Sequence, residues 1–563
     1  MTKKQSNMTL LSKLWRLQTL QKCEYALYDD YLMISEEKLD INAPVCATMK
    51  INLKKGGCVM GHLEKMKEYL KVIDAVIEKG QYKDDWSTLV NHKVPAWYRN
   101  AKFGIFIHWG AYSVPAYGSE WYARVMYQKD ALRRENTMYQ HHIDTFGPHK
   151  DFGYRDFIPM FKAENFDASK WADLFQEAGA KFVMPVAEHH DGFPMYDCDF
   201  TDWCAAKKGP CKDIVGLLKE EVEKRDMVLT ASSHRVEHYW FMGGMREFES
   251  DIPNGGDIPY GDIYWPSYPE PFVANGNVTT NQDTIYVPDL DPLFMEDWLA
   301  RSCEIVDKYR PKIVYFDWWI QVVPMKPYLK KFMAFYYNRA HEWGEEVTIN
   351  YKNDAFLHTT AVKDIERGQL ADVSPFFWQN DTSVAKNSWG YTEGNDYKEP
   401  HEIICDLVDV VSKNGSLLLN IGPKADGTIP DEDAHILKEI GKWLKINGEA
   451  IYESYPWRKY GEGPTVTQEG HFTDTNRKAY TSDDFRFTFK DSNLYVFAMN
   501  WPEDGIVRIN SLGVKSKKFN AKINKVSILG SEKCEWILCD DYLTVIGDRM
   551  NTNSPVCIKL EID

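Results

Sequence analysis

The chain has no excess of positive charge. Its 563 residues include 67 Lys and Arg against 83 Asp and Glu, which gives a formal net charge of -16 at pH 7. Nucleic acids and anionic membrane surfaces are polyanions and would repel such a protein. We therefore expect neither nucleic acid nor a membrane as a partner, and predict a neutral or small ligand. A homo-oligomer is compatible with the sequence.

The chain also lacks long apolar runs, a secretion signal and paired cysteines. No stretch approaches the ~18 uninterrupted apolar residues of a membrane span, and residues 1–21 contain neither the apolar core nor the cleavage site of a signal peptide. The 11 Cys form no CxxC pair and show no metal-ligand spacing. These absences predict a soluble, cytoplasmic protein with reduced thiols.

Apolar runs alternate with helical patterns through the middle of the chain, which is typical of a parallel sheet covered by helices. The predicted strands are residues 102–110, 181–187, 227–232, 312–316, 347–350 and 416–421. The predicted helices are residues 168–180, 213–226, 297–310, 326–343 and 399–412.

Polar residues collect just after the ends of these strands, and they come from several different strands. They are His108, His189, His190, Asp191, His234 and Asp317. A doubly wound sheet concentrates its ligands at one switch point, whereas a barrel gathers them around its whole carboxyl-terminal rim. We therefore predict an α/β fold with a (β/α)8-like barrel as the catalytic domain.

The chain is too long for one hydrophobic core, since single cores stop growing near ~250–300 residues. Short alternating segments follow residue 457, at residues 485–489, 493–499, 506–509 and 521–529, and they predict a C-terminal antiparallel β-sandwich. The predicted organisation is an N-terminal segment (1–59), a helical lead-in (60–89), the barrel (90–455) and the sandwich (456–563).

The N-terminal segment repeats part of the predicted sandwich. Residues 22–51 align without a gap with residues 533–562 and share the blocks KCE, DDYL and PVC. Our hypothesis is that residues 1–59 are the tail of a tandem paralogue fused in frame, or a wrongly extended start before Met60. The alternative is an extra hairpin that completes a domain. A peptide covering Lys22–Lys38 in mass spectra of the native protein would exclude the wrong start.

Asp317 closes the apolar run Ile313–Phe316 and precedes two tryptophans. A carboxylate at a strand end beside aromatic rings can attack an anomeric carbon. Asp is equally common as a helix N-cap after a strand, so the residue alone leaves both interpretations open.

Two further groups of residues have the chemistry of a sugar pocket. His189, His190 and Asp191 offer hydrogen bonds or a metal site, although adjacent histidines on an extended strand point to opposite faces, which weakens the metal interpretation. His108 ends the first strand, and Glu120 and Trp121 follow it closely. One imidazole, one carboxylate and stacking rings suit a hexose-sized pocket.

Several long motifs in order resemble the α-L-fucosidases of glycoside hydrolase family 29, over roughly residues 90–455. They are Trp97–Tyr98, Lys102–Gly110 (KFGIFIHWG), Ser119–Tyr122 (SEWY), Glu188–Phe193 (EHHDGF), Tyr315–Asp317 (YFD), Ser388–Tyr391 (SWGY) and Lys413–Pro423 (KNGSLLLNIGP). The resemblance implies a retaining exo-α-L-fucosidase that acts on fucosylated glycans by double displacement and needs no cofactor and no metal.

The resemblance also implies a role for individual residues. Asp317 matches the nucleophile, and the substrate-binding positions are His108, Glu120, Trp121, His189, His190, Tyr315 and Trp389. The acid/base lies in residues 364–368, where Glu366 is the choice and Asp364 the runner-up; a surface ion pair with Arg367 is the alternative role of Glu366. A carboxyl in a water-poor pocket beside an ionised nucleophile stays protonated near neutral pH.

One segment departs from the commonest family pattern, Trp-Phe-Asp-Gly. Tyr315 replaces the Trp, and Trp318 replaces the Gly. We expect the bulky Trp318 to reshape the pocket wall or the acceptor subsite.

Three other functions stay open on the sequence. A metal-dependent barrel hydrolase would use His189, His190, Asp191 and Asp317, and a chelator would stop it. A fucose-binding protein would have lost catalysis, and a transfucosylase would pass the glycosyl group to a sugar instead of water.

Overall fold

The computed structural model describes residues 61–129, 137–269, 273–274, 277–278, 289–474, 478–550 and 552–563. The repeated N-terminal segment lies outside the described residues. Within the described part, no helix is both long and apolar enough to cross a membrane. The eight described cysteines are all free thiols.

Eight parallel strands close into a barrel, because β1 pairs with both β2 and β11. The strands are β1 (Phe103–Ile107), β2 (Phe182–Glu188), β3 and β4 (Val228–Leu229 and Ala231–Ser233, two halves of one strand), β7 (Ile313–Phe316), β8 (Thr348–Tyr351), β9 (Val362–Glu366), β10 (Trp378–Ser383) and β11 (Gly415–Ile421). A separate antiparallel pair consists of β5 (Val273–Ala274) and β6 (Asn277–Val278). The predicted barrel is confirmed.

The six predicted strands are all present, but β9 and β10 were not predicted. Their sequences, VKDIE and WQNDTS, are polar, yet nearly every side chain is buried. Buried strands of a parallel sheet are usually recognised as apolar runs, and these two strands contain no such run.

Helices cover the barrel strands, and side-chain caps determine where several of them begin. The described α-helices are His62–Lys79, Trp86–Leu89, Ala96–Ala101, Tyr122–Val125, Thr137–Phe146, Ala168–Glu177, Ile214–Glu223, His238–Phe241, Pro292–Tyr309, Lys326–Trp343, Pro400–Ser412 and Asp431–Asn447. Asp167 accepts hydrogen bonds from the backbone N–H groups of Ser169 and Lys170. The helix predicted to start at Asp297 starts at Pro292, since Asp291 caps it and proline suits the first turn.

Two antiparallel sheets follow the barrel and confirm the predicted sandwich. One contains β12 (Tyr455–Glu462), β13 (Phe485–Lys490), β14 (Asn493–Ala498), β16 (Ile523–Ile528) and β19 (Val556–Ile562). The other contains β15 (Ile506–Ile509), β17 (Glu535–Leu538) and β18 (Leu543–Ile546). Their inner faces share one core that includes Phe487, Val496 and Val545. The C-terminal copy of the repeat forms β17, β18 and β19.

Candidate active site

Six polar side chains meet at the carboxyl-terminal rim of the barrel. His108 follows β1, His189 and His190 follow β2, His234 follows β4, Asp317 follows β7, and Glu366 ends β9. None is more than 9% exposed. Because parallel strands end at the same edge of a barrel, residues far apart in the sequence share one pocket.

Asp317 lies at the centre of this cluster. Its Oδ2 accepts a hydrogen bond from His234 Nδ1 at 3.1 Å and lies 3.4 Å from His190 Nε2. Burial alone would raise the pKa of Asp317, but the electrostatic effect of His234, hydrogen bonds from His190 and His234, and the ammonium of Lys352 hold this pKa well below its ordinary value. The residue caps no helix, so the N-cap interpretation was wrong. Asp317 is an ionised carboxylate at neutral pH.

His190 lies between two acidic side chains. Its Nδ1 donates to the backbone oxygen of His234 at 3.0 Å and is 3.7 Å from a carboxylate oxygen of Glu237. Burial opposes the charged ring, but Glu237 and Asp317 outweigh it and raise the pKa of His190 to about 9. The ring is therefore a cation at neutral pH, and it stabilises the negative charge of Asp317.

His108 and His189 are neutral rings that offer nitrogen atoms to a ligand. Burial and the neighbouring histidines lower the pKa of each well below its ordinary value. His108 Nδ1 donates to Asn420 Oδ1 at 2.7 Å, which leaves Nε2 as an acceptor. His189 Nδ1 is buried and has no hydrogen-bond partner among the described residues. A sugar hydroxyl, which both donates and accepts, satisfies such atoms.

The two adjacent histidines face the same pocket, which corrects the expectation of opposite faces. β2 ends at Glu188, and the chain turns at residues 190–191. The ring centroids of His189 and His190 are consequently only 4.4 Å apart. Gly192 continues the turn at φ 75°, where a Cβ would lie 2.5 Å from the His238 ring.

The same histidines bear on the metal-hydrolase alternative. His190, His234 and Asp317 bring ligand atoms within 4.8 Å of one another. Both ring nitrogens of His190 and of His234 already have protein partners, so a metal ion would have to displace them. Asp191, the remaining acid of that hypothesis, instead accepts a hydrogen bond from Tyr154 at 2.7 Å.

The predicted aromatic and acidic binding residues reach the same pocket. Glu120 Oε2 accepts from the Ser388 hydroxyl at 3.0 Å and from the Trp389 backbone N–H at 2.9 Å. The Trp389 ring is 5.1 Å from His108, and the Trp121 ring is 5.6 Å from His190. Tyr315 is almost fully buried, and its hydroxyl lies 3.4 Å from Asp317 Oδ1 and 3.1 Å from Asp381 Oδ2.

Glu366 and Asp364 lie on the same side of β9, since they are two residues apart on a strand. Asp364 is fully buried and pairs with Lys352 Nζ at 2.6 Å. Glu366 is at the strand end, 7% exposed, and its Oε2 accepts a hydrogen bond from the indole of Trp318. Of the two candidates, Glu366 is the one nearer the pocket.

The surroundings of Glu366 favour its protonated form. Burial raises the pKa of Glu366 to about 7; Lys352 opposes the rise, while the carboxylates of Asp381 and Asp317 add to it. The carboxyl therefore holds its proton over most of the acidic range and is close to half-titrated at neutral pH.

Arg367 does not pair with Glu366. Its guanidinium donates to the backbone oxygens of Ala385 and Ser388 and lies 4.7 Å over the Trp389 ring. The surface ion pair considered for Glu366 was therefore wrong, because Glu366 is buried and Arg367 is directed away from it.

Sequence reasoning missed two charged residues beneath the site. Lys352 follows β8 directly, and its fully buried ammonium lies within 3.3 Å of oxygens on Asp364, Glu366 and Asp381. Lys352 is a polar residue just after the end of a predicted strand, as the histidines are. The same pattern could therefore have identified it. Asp381 lies inside β10, which the apolar pattern did not reveal.

Replacing Lys352 with Met should destabilise the protein and shift its pH dependence. Loss of one partner from a buried ion pair costs about 3–5 kcal/mol. Lys352 lowers the pKa of Glu366. Its loss should therefore raise this pKa and shift to higher pH any part of the pH–activity profile that depends on the protonation of Glu366. Urea unfolding and a pH profile of kcat/KM measure the two effects.

Lys413→Met is the matched control for this prediction. Lys413 is equally buried and pairs with Asp409 at 2.6 Å, away from Glu366. It should destabilise the protein by a similar amount and leave the pH limb in place. A limb that stays in place in Lys352→Met as well would contradict the coupling.

The rim of this barrel holds an ionised carboxylate, Asp317, and a carboxyl that can be protonated near neutral pH, Glu366. Glycoside hydrolases use such a pair of carboxyl groups. Comparison with known proteins gives the family. Residues 70–449 match the family model of alpha-L-fucosidase, and residues 478–556 match that of the alpha-L-fucosidase C-terminal domain. The chain belongs to the alpha-L-fucosidase family and is a glycosidase that releases fucose. The family and activity expected from the sequence are confirmed.

Named relatives and solved structures agree with this assignment. The chain is 31% identical to the tissue alpha-L-fucosidase of Rattus norvegicus over 458 residues, which cover 80% of this chain and 85% of the relative. It is 31% identical to that of Homo sapiens over 466 residues, 80% and 84% of the two chains. The crystal structure of Thermotoga maritima alpha-fucosidase in complex with fucose matches with a TM-score of 0.64 at 26% identity, covering 85% of this chain and 100% of the other.

Proposed function

We propose that this fucosidase is an exo-acting, retaining enzyme in which Asp317 is the nucleophile and Glu366 the general acid/base. The observation that carries the proposal is the different surroundings of two buried carboxyls in one pocket: Asp317 accepts a hydrogen bond from His234 at 3.1 Å, whereas Glu366 accepts one from the indole of Trp318. These surroundings displace the two pKa values in opposite directions. His234 and His190 hold the pKa of Asp317 far below its ordinary value, whereas burial raises that of Glu366 to about 7. One carboxyl is therefore ready to attack and the other to donate a proton.

The reaction then takes two steps. Asp317 Oδ attacks the anomeric carbon of fucose while Glu366 protonates the departing glycosidic oxygen, and the bond between that oxygen and the carbon breaks. In the second step Glu366, now ionised, takes a proton from water, and the water oxygen displaces Asp317. The His190 cation holds the carboxylate in position for attack and stabilises it again when it leaves.

We assign fucose binding to the residues that share a pocket with these carboxyls. His108 Nε2 and His189 Nδ1 meet sugar hydroxyls, as does the carboxylate of Glu120, which the Ser388 hydroxyl and the Trp389 backbone N–H hold in place. Trp121 and Trp389 supply apolar faces beside the histidines. Tyr315 keeps its predicted place in this set, with its hydroxyl near Asp317.

The anomer released first tests retention directly. Proton NMR of the first turnovers should show α-L-fucose appearing before it mutarotates to the equilibrium mixture. The appearance of β-L-fucose first would mean that water attacks the substrate directly, and Asp317 would then be a base rather than a nucleophile.

The pH profile of kcat/KM should fall above about pH 7. The free enzyme needs Glu366 protonated, and its pKa is raised to about 7, so the active fraction drops about tenfold per pH unit above that value. On the acid side Asp317 must be ionised, and its lowered pKa places that limb below its ordinary value of ~4. A disaccharide assayed between pH 4 and 9 measures both limbs. A plateau that persists to pH 8.5 would remove Glu366 from the role of acid.

The substrate class is a fucosylated glycan, and two finer points rest on the sequence alone. Cytoplasmic processing of fucosylated oligosaccharides remains a proposal, which activity in a secreted fraction would overturn. Transfer of fucose to a sugar acceptor instead of water follows from the same covalent intermediate, and product analysis at high acceptor concentration distinguishes the two outcomes.

A further inference from the structure

A segment of the C-terminal domain reaches the catalytic pocket. Residues 468–474 lie between β12 and β13, yet their backbone bonds to the chain just after β9. The N–H of Phe472 donates to the backbone oxygen of Glu366 at 2.9 Å, and that of Gly470 donates to the backbone oxygen of Gln369 at 3.0 Å. A Cβ on Gly368 would lie 1.7 Å from the Gly470 oxygen, so the two backbones are in close approach.

Buried polar groups anchor this segment. Asp474 Oδ2 accepts hydrogen bonds from Lys398 Nζ at 2.6 Å and Thr382 Oγ1 at 2.9 Å, and the N–H of Asp474 donates to the Arg367 oxygen at 2.9 Å. His471 Nδ1 accepts from the N–H of Glu366 at 3.0 Å. Burial lowers the pKa of His471 to about 3, so this nitrogen stays an acceptor at neutral pH. The segment is thus fixed to the strand that carries Glu366.

Three rings of this region lie side by side next to Glu366. The Trp318 ring is 4.8 Å from that of His471 and 6.2 Å from that of Phe472, to which it is nearly parallel, at 19°. Trp318 is buried and donates to the Glu366 carboxyl, whereas Phe472 is 49% exposed. Phe472 also has φ 57°, a conformation that costs free energy in a residue other than glycine. We call Trp318, His471 and Phe472 the aromatic rim.

We propose that the aromatic rim is the binding site for the leaving sugar, so that the C-terminal domain helps to determine which aglycone is accepted. The inference rests on the proposed role of Glu366. A general acid must lie within hydrogen-bond reach of the oxygen that it protonates, and that oxygen belongs to the leaving group. The sugar beyond it consequently lies on the Glu366 side of the pocket, where the exposed ring is Phe472. A pyranose has an apolar C–H face that packs on such a ring.

The test compares two kinds of fucosyl substrate that differ only in the leaving group. α-L-Fucosyl fluoride has no leaving sugar, whereas α1,2-, α1,3-, α1,4- and α1,6-linked fucosyl disaccharides have one. Phe472→Ala should lower kcat/KM for the best disaccharide about tenfold and leave that for the fluoride unchanged. Phe472→Tyr, which keeps a ring, should restore the disaccharide rate.

Phe376→Ala is the matched control. Phe376 is 46% exposed and precedes β10, so it lies at the opposite end of the barrel, and its loss should change neither rate. The proposal would be overturned if Phe472→Ala lowered kcat/KM equally for the fluoride and the disaccharide, or lowered it for neither. It would also be overturned if the wild-type enzyme cleaved the fluoride but no disaccharide. The role of Glu366 is tested separately by Glu366→Ala, in which the disaccharide rate should fall and the fluoride rate should fall far less.

Discussion

Asp317→Gly should lose activity by about four orders of magnitude or more, and added azide should restore turnover. The substitution removes the group that forms the covalent bond, and loss of a nucleophile costs rates of this size or larger in other enzymes. It also leaves a space where a small anion can approach the anomeric carbon from the same face. The product with azide should be β-L-fucosyl azide, which NMR identifies.

Two variants separate chemistry from folding in this experiment. Asp317→Asn keeps the shape of the side chain but cannot form a glycosyl-enzyme, so it should be as inactive as the glycine variant and gain little from azide. His234 and His190 both lose an anionic partner in Asp317→Gly, so thermal unfolding should accompany the assay. An α-configured azide product, or substantial activity without azide, would rule out Asp317 as the nucleophile.

The sequence predicted those parts of the barrel that obey simple patterning. Ile313–Phe316 (IVYF) is apolar apart from one hydroxyl, and Gly415–Ile421 contains three consecutive leucines, because both strands are buried on both faces. β9 and β10 break this pattern because their inward side chains, Asp364, Glu366, Gln379 and Asp381, are polar groups at and beneath the site. Polar residues replace the usual apolar residues of buried strands at functional sites.

Long-range contacts of the site could not be predicted from sequence. His471 is 105 residues from Glu366 along the chain, yet it accepts a hydrogen bond from the N–H of Glu366. Nothing in the local pattern around His471 indicates this contact. Lys352 is different, since it directly follows β8 and the pattern of polar residues after strand ends includes it.

Glu366→Ala should reduce activity by an amount that depends on the leaving group. General acid catalysis contributes typically 10²–10⁴-fold, so hydrolysis of a disaccharide should fall by that factor. A fucosyl fluoride leaves without protonation and should lose far less in the first step. The fall of kcat/KM above about pH 7 should disappear, because the group whose pKa is raised to that value is gone.

Asp364→Asn is the control that decides between the two carboxyls of β9. Asp364 pairs with Lys352 at 2.6 Å and accepts from Gln379 Nε2 at 2.7 Å, so its loss should destabilise the barrel floor and slow both substrates alike. Azide should rescue Glu366→Ala and yield α-L-fucosyl azide, since Asp317 still forms the intermediate. If leaving-group dependence and azide rescue appear instead in Asp364→Asn, the roles of the two residues must be exchanged, because only the acid/base produces both effects together.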